Sequence, residues 1–329
     1  MKTAMFQRKI NGKIMCELCP NMCILDKNEI GKCNVRQNRK GILRSLNYGH
    51  IISRAIDPIE KKPLFHFFPG SFTYSIAASG CNLHCKFCQN HEISQKFIES
   101  GKLFTPLDIV NDALKHGCKS IAYTYTEPTI FFEFALETMK LAKEKGLKNI
   151  WVSNGYINPR PLKKIIPSLD AVNIDLKGDK NFYEEISEGK IEPVLNTIKT
   201  LFKKQILVEI SNLLITDLND SKEQIEFIVD TISNISRKIP LHFSKYRSSY
   251  KLKNNSTSLE SIKRAMTIAK EKLDYVYGGN IRGQGLENTR CPKCNFVVII
   301  RDRDQVSSFL GKAKTCPKCN ETIKLIGNL

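Results

Sequence analysis

Three groups of cysteines carry metal-ligand spacing: Cys81, Cys85 and Cys88 in the run SGCNLHCKFCQN, Cys291, Cys294, Cys316 and Cys319 in two CPKC knuckles, and Cys16, Cys19, Cys23 and Cys33 near the start. Of the 12 cysteines only Cys118 stands apart, and a disulfide framework is a poor account of such grouping. The middle group is a C-x3-C-x2-C pattern. Zinc held by cysteine usually closes with four ligands, whereas a cubane iron–sulfur cluster held by three thiolates keeps one iron open for chemistry. The competing reading is a zinc knuckle completed by His84 or His91. The C-terminal quartet has nearly the spacing of a zinc ribbon, with a single iron or an auxiliary cluster as alternatives, since four thiolates do not choose the metal by number. In the N-terminal group, C-x2-C-x3-C-x9-C suits zinc, the reading we carry forward, or a second 4Fe–4S cluster. Cys118 reads as a small core residue.

The elements that must position these groups follow from the hydrophobic pattern. Short β-branched runs at 73–79, 119–125, 148–152, 170–175, 206–211, 240–244 and 274–278 alternate with helical stretches, which is the signal of a parallel sheet with crossover helices. Thr105, Pro106 and Asp108 open one helix and Gly117 closes it; the helix over 129–145 ends at Gly146. Further helices are expected at 158–167, 192–204, 220–238 and 257–272, the third with Ile225, Ile228, Val229 and Ile232 on one face. The expected fold class is α/β: a partial (β/α)6 TIM-like barrel over 72–286, preceded by a Cys-rich module at 1–71 and followed by a zinc-ribbon-like domain at 287–329. The cysteine triplet then falls just after the first barrel strand.

CNLHCKFC, with Phe87 before the third cysteine, resembles the signature of the radical S-adenosylmethionine (SAM) superfamily. DPIEKKPLFHFFPGS at 57–71, CELCPNMC, TYTEPTIFFE and LHFSKY resemble, more narrowly, the AmmeMemoRadiSam-system enzymes, relatives of pyruvate formate-lyase activating enzymes. The resemblance implies a 4Fe–4S cluster on Cys81, Cys85 and Cys88, and SAM bound to its open iron. It implies reductive cleavage of SAM to methionine and a hydrogen-abstracting 5′-deoxyadenosyl radical, with Phe87 near the adenine. Around SAM it places Glu127, Asn154, Asp175, Lys177 and His242, each at the end of an expected strand, where a parallel barrel collects its ligands. Tyr125 and Thr126 stand where many relatives carry two glycines, and Val152 where several carry an acid.

Four of these residues also have a plainer reading. His242 lies between Leu241 and Phe243 and could be a satisfied core histidine; Asp175 and Lys177 could be a surface ion pair; Glu127 could simply begin a helix. Tyr123 and Tyr125 read as packing. With 51 Lys+Arg against 33 Asp+Glu the net charge is +18, compatible with nucleic acid, an acidic protein or an anionic cofactor. No apolar run approaches the ~18 residues of a bilayer span, and the start lacks a secretory core, so no membrane and a cytoplasmic location are expected. Three functions compete: a radical SAM enzyme acting on a protein or peptide, such as an AmmeMemo-system protein, with a low-potential electron donor; a radical SAM enzyme acting on RNA; and a non-catalytic zinc scaffold.

Overall fold

The computed structural model describes residues 1–281, 283–302, 305–311 and 313–327. Its centre is an eight-stranded sheet whose strands lie side by side in chain order: β1 (Ile51–Pro58), β2 (Phe72–Ala78), β3 (Ser120–Tyr123), β4 (Lys148–Ser153), β5 (Ala171–Asp175), β6 (Leu207–Leu214), β7 (Leu241–Lys245) and β8 (Val276–Gly279). From β2 to β8 all pairings are parallel, and β1 runs antiparallel along β2 at the edge. Parallel neighbours need long crossovers, and helices supply them. The chain is thus an α/β protein with a central parallel sheet. The seven runs read as strands all join the parallel part of the sheet, and β1, from the stretch assigned to the N-terminal module, adds an antiparallel edge.

The helices form where periodicity and caps coincide. Pro106–Lys115 starts with a complete capping box, Thr105 accepting from the Asp108 N–H while the Asp108 carboxylate accepts from that of Thr105. Lys222–Ser233 buries Ile225, Ile228, Val229 and Ile232 on one face, each worth roughly 1.5–3 kcal/mol of burial. The helix expected from 129 begins as a 3-10 turn, Pro128–Phe131, and becomes regular over Phe132–Glu144. No helix among the described residues is long and apolar enough to cross a membrane.

The loop between β1 and β2 folds back across the sheet. Its Phe65 and His66 N–H groups donate to the Glu209 carboxylate on β6 at 3.1 and 2.8 Å, and Asn173 on β5 donates to the Pro63 carbonyl at 2.7 Å. Ile59, Leu64 and Phe67 pack there against Ala122, Ile150 and Ala171, closing the lower part of that face. The C-terminal segment joins the same region. Three short strands (Thr289–Arg290, Val297–Asp302 and Gln305–Ser308) pack with Phe65, Tyr275 and Tyr277, and Arg301 donates to the Phe65 carbonyl at 2.8 Å.

His66 lies within this junction, Nδ1 at 2.9 Å from the Lys324 carbonyl and Nε2 at 2.8 Å from the Tyr277 hydroxyl. Burial pushes its pKa below the usual 6.5, although Glu209 opposes the shift. A lowered folded pKa means the unfolded chain binds the proton more readily, so stability is present above about pH 6.5 and lost as pH falls below it. His66→Gln should therefore flatten the decline in melting temperature between pH 7 and 5; equal slopes for the two proteins would remove His66 as the cause.

Candidate active site

The upper part of the sheet, where the loop leaves it uncovered, opens into a cavity with about 1310 Å³ of free space counted out to its mouth. Cys81, Cys85 and Cys88 lie in its wall, delivered by the loop that follows β2. Cys85 is buried and the other two half-buried. Phe87 lines the cavity between the last two, packed on Phe182 at 5.8 Å between centroids. The side chains proposed to complete a zinc knuckle are engaged elsewhere. His84 uses both ring nitrogens, on Gln95 Oε1 at 2.5 Å and the Lys32 carbonyl at 3.0 Å, while His91 stacks on Tyr250 with Nδ1 at 3.2 Å from the Cys88 carbonyl.

Asn154, at the carboxyl end of β4, reaches the cysteines directly. Its Nδ2 donates to Asn82 Oδ1 at 2.9 Å and lies 3.7 Å from Cys81 Sγ, while its Oδ1 accepts from the Tyr156 N–H at 2.8 Å. Glu127 also lines the cavity, but its carboxylate is saturated from within. Oε1 accepts from the Thr129 N–H, the Thr129 hydroxyl and the Ser153 hydroxyl at 2.9, 2.6 and 2.9 Å; Oε2 accepts from the Asn154 N–H at 2.8 Å. It is a clamp that sets where Asn154 stands. Burial pushes its pKa up, and the surrounding donors oppose the shift. Glu127→Gln puts an amide N–H2 among groups that donate, and is expected to lower stability by about 1–3 kcal/mol in urea unfolding. A loss under about 0.5 kcal/mol would mean that these donors find other partners.

Asp175, the last residue of β5, and Lys177 just beyond it line the same cavity, Nζ to Oδ2 at 3.2 Å. The Asp175 side chain is half-exposed, but Lys177 is buried: Asn212 and Asn219 hold its carbonyl at 3.3 and 2.8 Å, and its ammonium lies 5.6 Å from the Phe87 ring. Burial disfavours its charge, but Asp175 and Cys85 hold its pKa above the ordinary lysine value.

His242 does not line the cavity. β7 continues to Lys245, so His242 is second in its strand, and Ser244, two residues on and on the same face, lines the wall instead. The imidazole is enclosed by Glu209 Oε2 at 2.7 Å, Phe65 and Tyr277, one layer below. Tyr125 corrects the packing assignment in the other direction. It stands at φ 64° in the cavity wall, its hydroxyl on Asp57 and its ring under Lys62 Nζ at 4.3 Å. Sequence reasoning missed Lys61, Lys62 and Pro63 from the folded-back loop, and Asn173 in the middle of β5; Ser211, at the end of the expected 206–211 run, lines the wall from within β6. Asn173 Oδ1 and Ser211 Oγ are buried with no protein partner, so this wall carries polar atoms available to a ligand.

The Cys291, Cys294, Cys316 and Cys319 sulfurs lie within 4.8 Å of one another, far along the chain from this cavity, a spacing suited to one metal ion. Cys16, Cys19, Cys23 and Cys33 line a separate small cavity in the N-terminal region.

An α/β sheet with a cysteine triplet and a polar cavity at its strand ends has the layout of an enzyme that binds ligands at the carboxyl edge of parallel strands. The comparisons agree. Residues 75–232 match the Radical SAM superfamily. The uncharacterised protein MJ0808 of Methanocaldococcus jannaschii is 40% identical over 99% of this chain and 100% of its own length. The pyruvate formate-lyase-activating enzyme of Clostridium pasteurianum is 24% identical over 59% of this chain and 89% of its own. In fold, the chain is similar to a radical SAM methyltransferase from Sphaerobacter thermophilus, with a TM-score of 0.52 and 15% identity over 66% of this chain and 68% of that one. The chain belongs to the radical SAM superfamily and is an enzyme of that class. The family implies a 4Fe–4S cluster and SAM, and SAM-dependent radical chemistry.

Proposed function

We propose that Cys81, Cys85 and Cys88 hold the 4Fe–4S cluster and that SAM occupies the cavity beside them. The donor set fits such a cluster. Three thiols line a space large enough for a nucleoside, and His84 and His91 are held by other partners. The convergence of the triplet and Asn154 on one wall of that cavity carries the reading. When bound, the cluster supplies one electron for cleavage of SAM to methionine and a 5′-deoxyadenosyl radical, which takes hydrogen from the substrate.

The chain's own residues bind and orient. Asn154, placed by Glu127, sets the Cys81 side of the site, and Phe87 offers an aromatic face for the adenine. Asp175 and Lys177 supply a carboxylate and an ammonium for charge-assisted hydrogen bonds to the ribose and methionyl groups. Asn173 Oδ1 and Ser211 Oγ gain partners when ligand enters.

The substrate class we favour is a protein or peptide. Support comes from the likeness to a pyruvate formate-lyase-activating enzyme and from the AmmeMemoRadiSam resemblance, which points to an AmmeMemo-system protein. A low-potential electron donor is required. Around the sheet we place a partial barrel, and in the C-terminal quartet a structural zinc that supplies much of that small unit's folding energy. The test is anaerobic reconstitution with iron and sulfide, followed by SAM and dithionite. Release of 5′-deoxyadenosine and methionine is expected, with a higher yield when the protein substrate is added. A reconstituted protein with its full iron content that yields neither product would overturn the reading.

A further inference from the structure

The N-terminal quartet takes no part in the cavity at the strand ends, yet it is built around a space of its own. Cys16, Cys19 and Cys33 are buried, Cys23 is half-buried, and together with Gly31 and Arg36 they border a small cavity. A Cβ at Gly31 would stand 3.4 Å from Cys23 Sγ, so the loop closes tightly over the fourth thiol.

A second observation points to an occupant. Arg36 is 1% exposed, and its Nη2 is held by both Glu133 oxygens at 2.8 and 2.7 Å. Its Nε–H has no partner, although the side chain borders the cysteine-lined cavity. Buried donors are normally satisfied, and the sulfur atoms of a bound cluster are acceptors that tune its properties through such contacts.

The spacing of the sulfurs separates the two metals. Zinc–sulfur bonds of ~2.3 Å in a tetrahedron hold four sulfurs within about 3.8 Å of one another. The C-terminal quartet meets this geometry: Cys291 and Cys319 sulfurs are 3.5 Å apart, Cys294 and Cys316 sulfurs 3.6 Å, and all four lie within 4.8 Å. Among the described residues no other set of three or more candidate ligands is gathered so closely. In a cubane each thiolate sits on a different iron, and the sulfurs surround a larger core. We infer that Cys16, Cys19, Cys23 and Cys33 hold a second 4Fe–4S cluster, not zinc, with Arg36 Nε–H donating to it.

This cluster lies against the loop that carries Cys81. A Cβ at Gly80 would meet the Cys33 carbonyl at 2.6 Å, and Asn21, in the wall of the N-terminal cavity, donates to the Asn82 carbonyl at 2.8 Å. Two clusters in adjacent loops is a consequence that rests on the function proposed above; the second site itself does not.

The deciding experiment is metal and sulfide analysis of the full-length Cys81→Ser, Cys85→Ser, Cys88→Ser triple variant after anaerobic reconstitution. We expect ~4 iron and ~4 sulfide per chain, with ~1 zinc in the C-terminal quartet. No iron above background, whether with ~2 zinc or with ~1, overturns the inference. A Cys19→Ser, Cys33→Ser double variant with the triplet intact should fall from ~8 iron to ~4, and ~8 retained would equally overturn it. If that variant fails to fold, the triple variant still decides. Because the triplet is absent from it, the count holds whether or not the proposed activity is correct.

Discussion

Cys85→Ser protein, reconstituted anaerobically, is expected to release 5′-deoxyadenosine from SAM at less than about one hundredth of the wild-type rate. Loss of groups that merely orient a metal ligand costs ~10–100-fold, and here the ligand itself is removed. The substitution is close to volume-conserving at a site only 8% exposed, so packing of the loop after β2 is retained. What changes is the donor. A hydroxyl is a poor substitute for a soft thiolate, and the Lys177 charge that favours the Cys85 thiolate has no such group to act on. The check is product formation by chromatography beside iron content and the thermal melt of the metal-free protein. An unchanged melt with activity lost is the expected pattern; more than a tenth of the activity retained would place the reacting cluster elsewhere.

Much of this site was legible before any coordinates, and the reasons for the rest are physical. The seven parallel strands and their helices announce themselves because buried strands are continuous β-branched runs and surface helices bury every third or fourth residue. β1 escaped because IISRAIDP mixes buried and half-exposed positions at a sheet edge, where no run of either period forms. His242 was misplaced by depth, not by face. A strand-end position depends on where the strand stops, and β7 runs three residues past the histidine. Tyr125 was misread because its φ of 64° turns it out of the strand's alternation, a conformation that no neighbouring residue signals. The loop over 59–68 was the least readable part, since its hydrogen bonds reach residues more than a hundred positions away.

That loop also explains how one face of the sheet serves two purposes. Below, apolar side chains and the Glu209 carboxylate fix Leu64, Phe65 and His66 in place, and the C-terminal strands pack behind them. Above, Lys61, Lys62 and Pro63 of the same loop become cavity wall. The folded-back segment is therefore the floor of the site, and Arg301 of the C-terminal unit is held against it at Phe65.

Glu133→Ala should produce the largest loss of stability, about 3–5 kcal/mol. Glu133 and Arg36 are 2% and 1% exposed, and removing one partner of a buried pair leaves the other charge uncompensated. A further contact fails with it, and a second loses its support. The Met5 N–H donates to Glu133 Oε1 at 2.7 Å, and Arg36 Nη1 donates to the Met5 carbonyl at 3.3 Å, so the carboxylate ties the N-terminal strands to the helix Phe132–Glu144. The expected result is a large drop in the urea midpoint, together with new proteolytic cleavage in the first fifty residues. An Arg36→Met, Glu133→Leu double variant should recover most of the stability, because well-packed apolar side chains replace a buried ion pair with little net cost. A Glu133→Ala loss under about 1 kcal/mol would show that water reaches Arg36 once the carboxylate is gone. The N-terminal unit would then be held chiefly by its packing on the loop around Gly80.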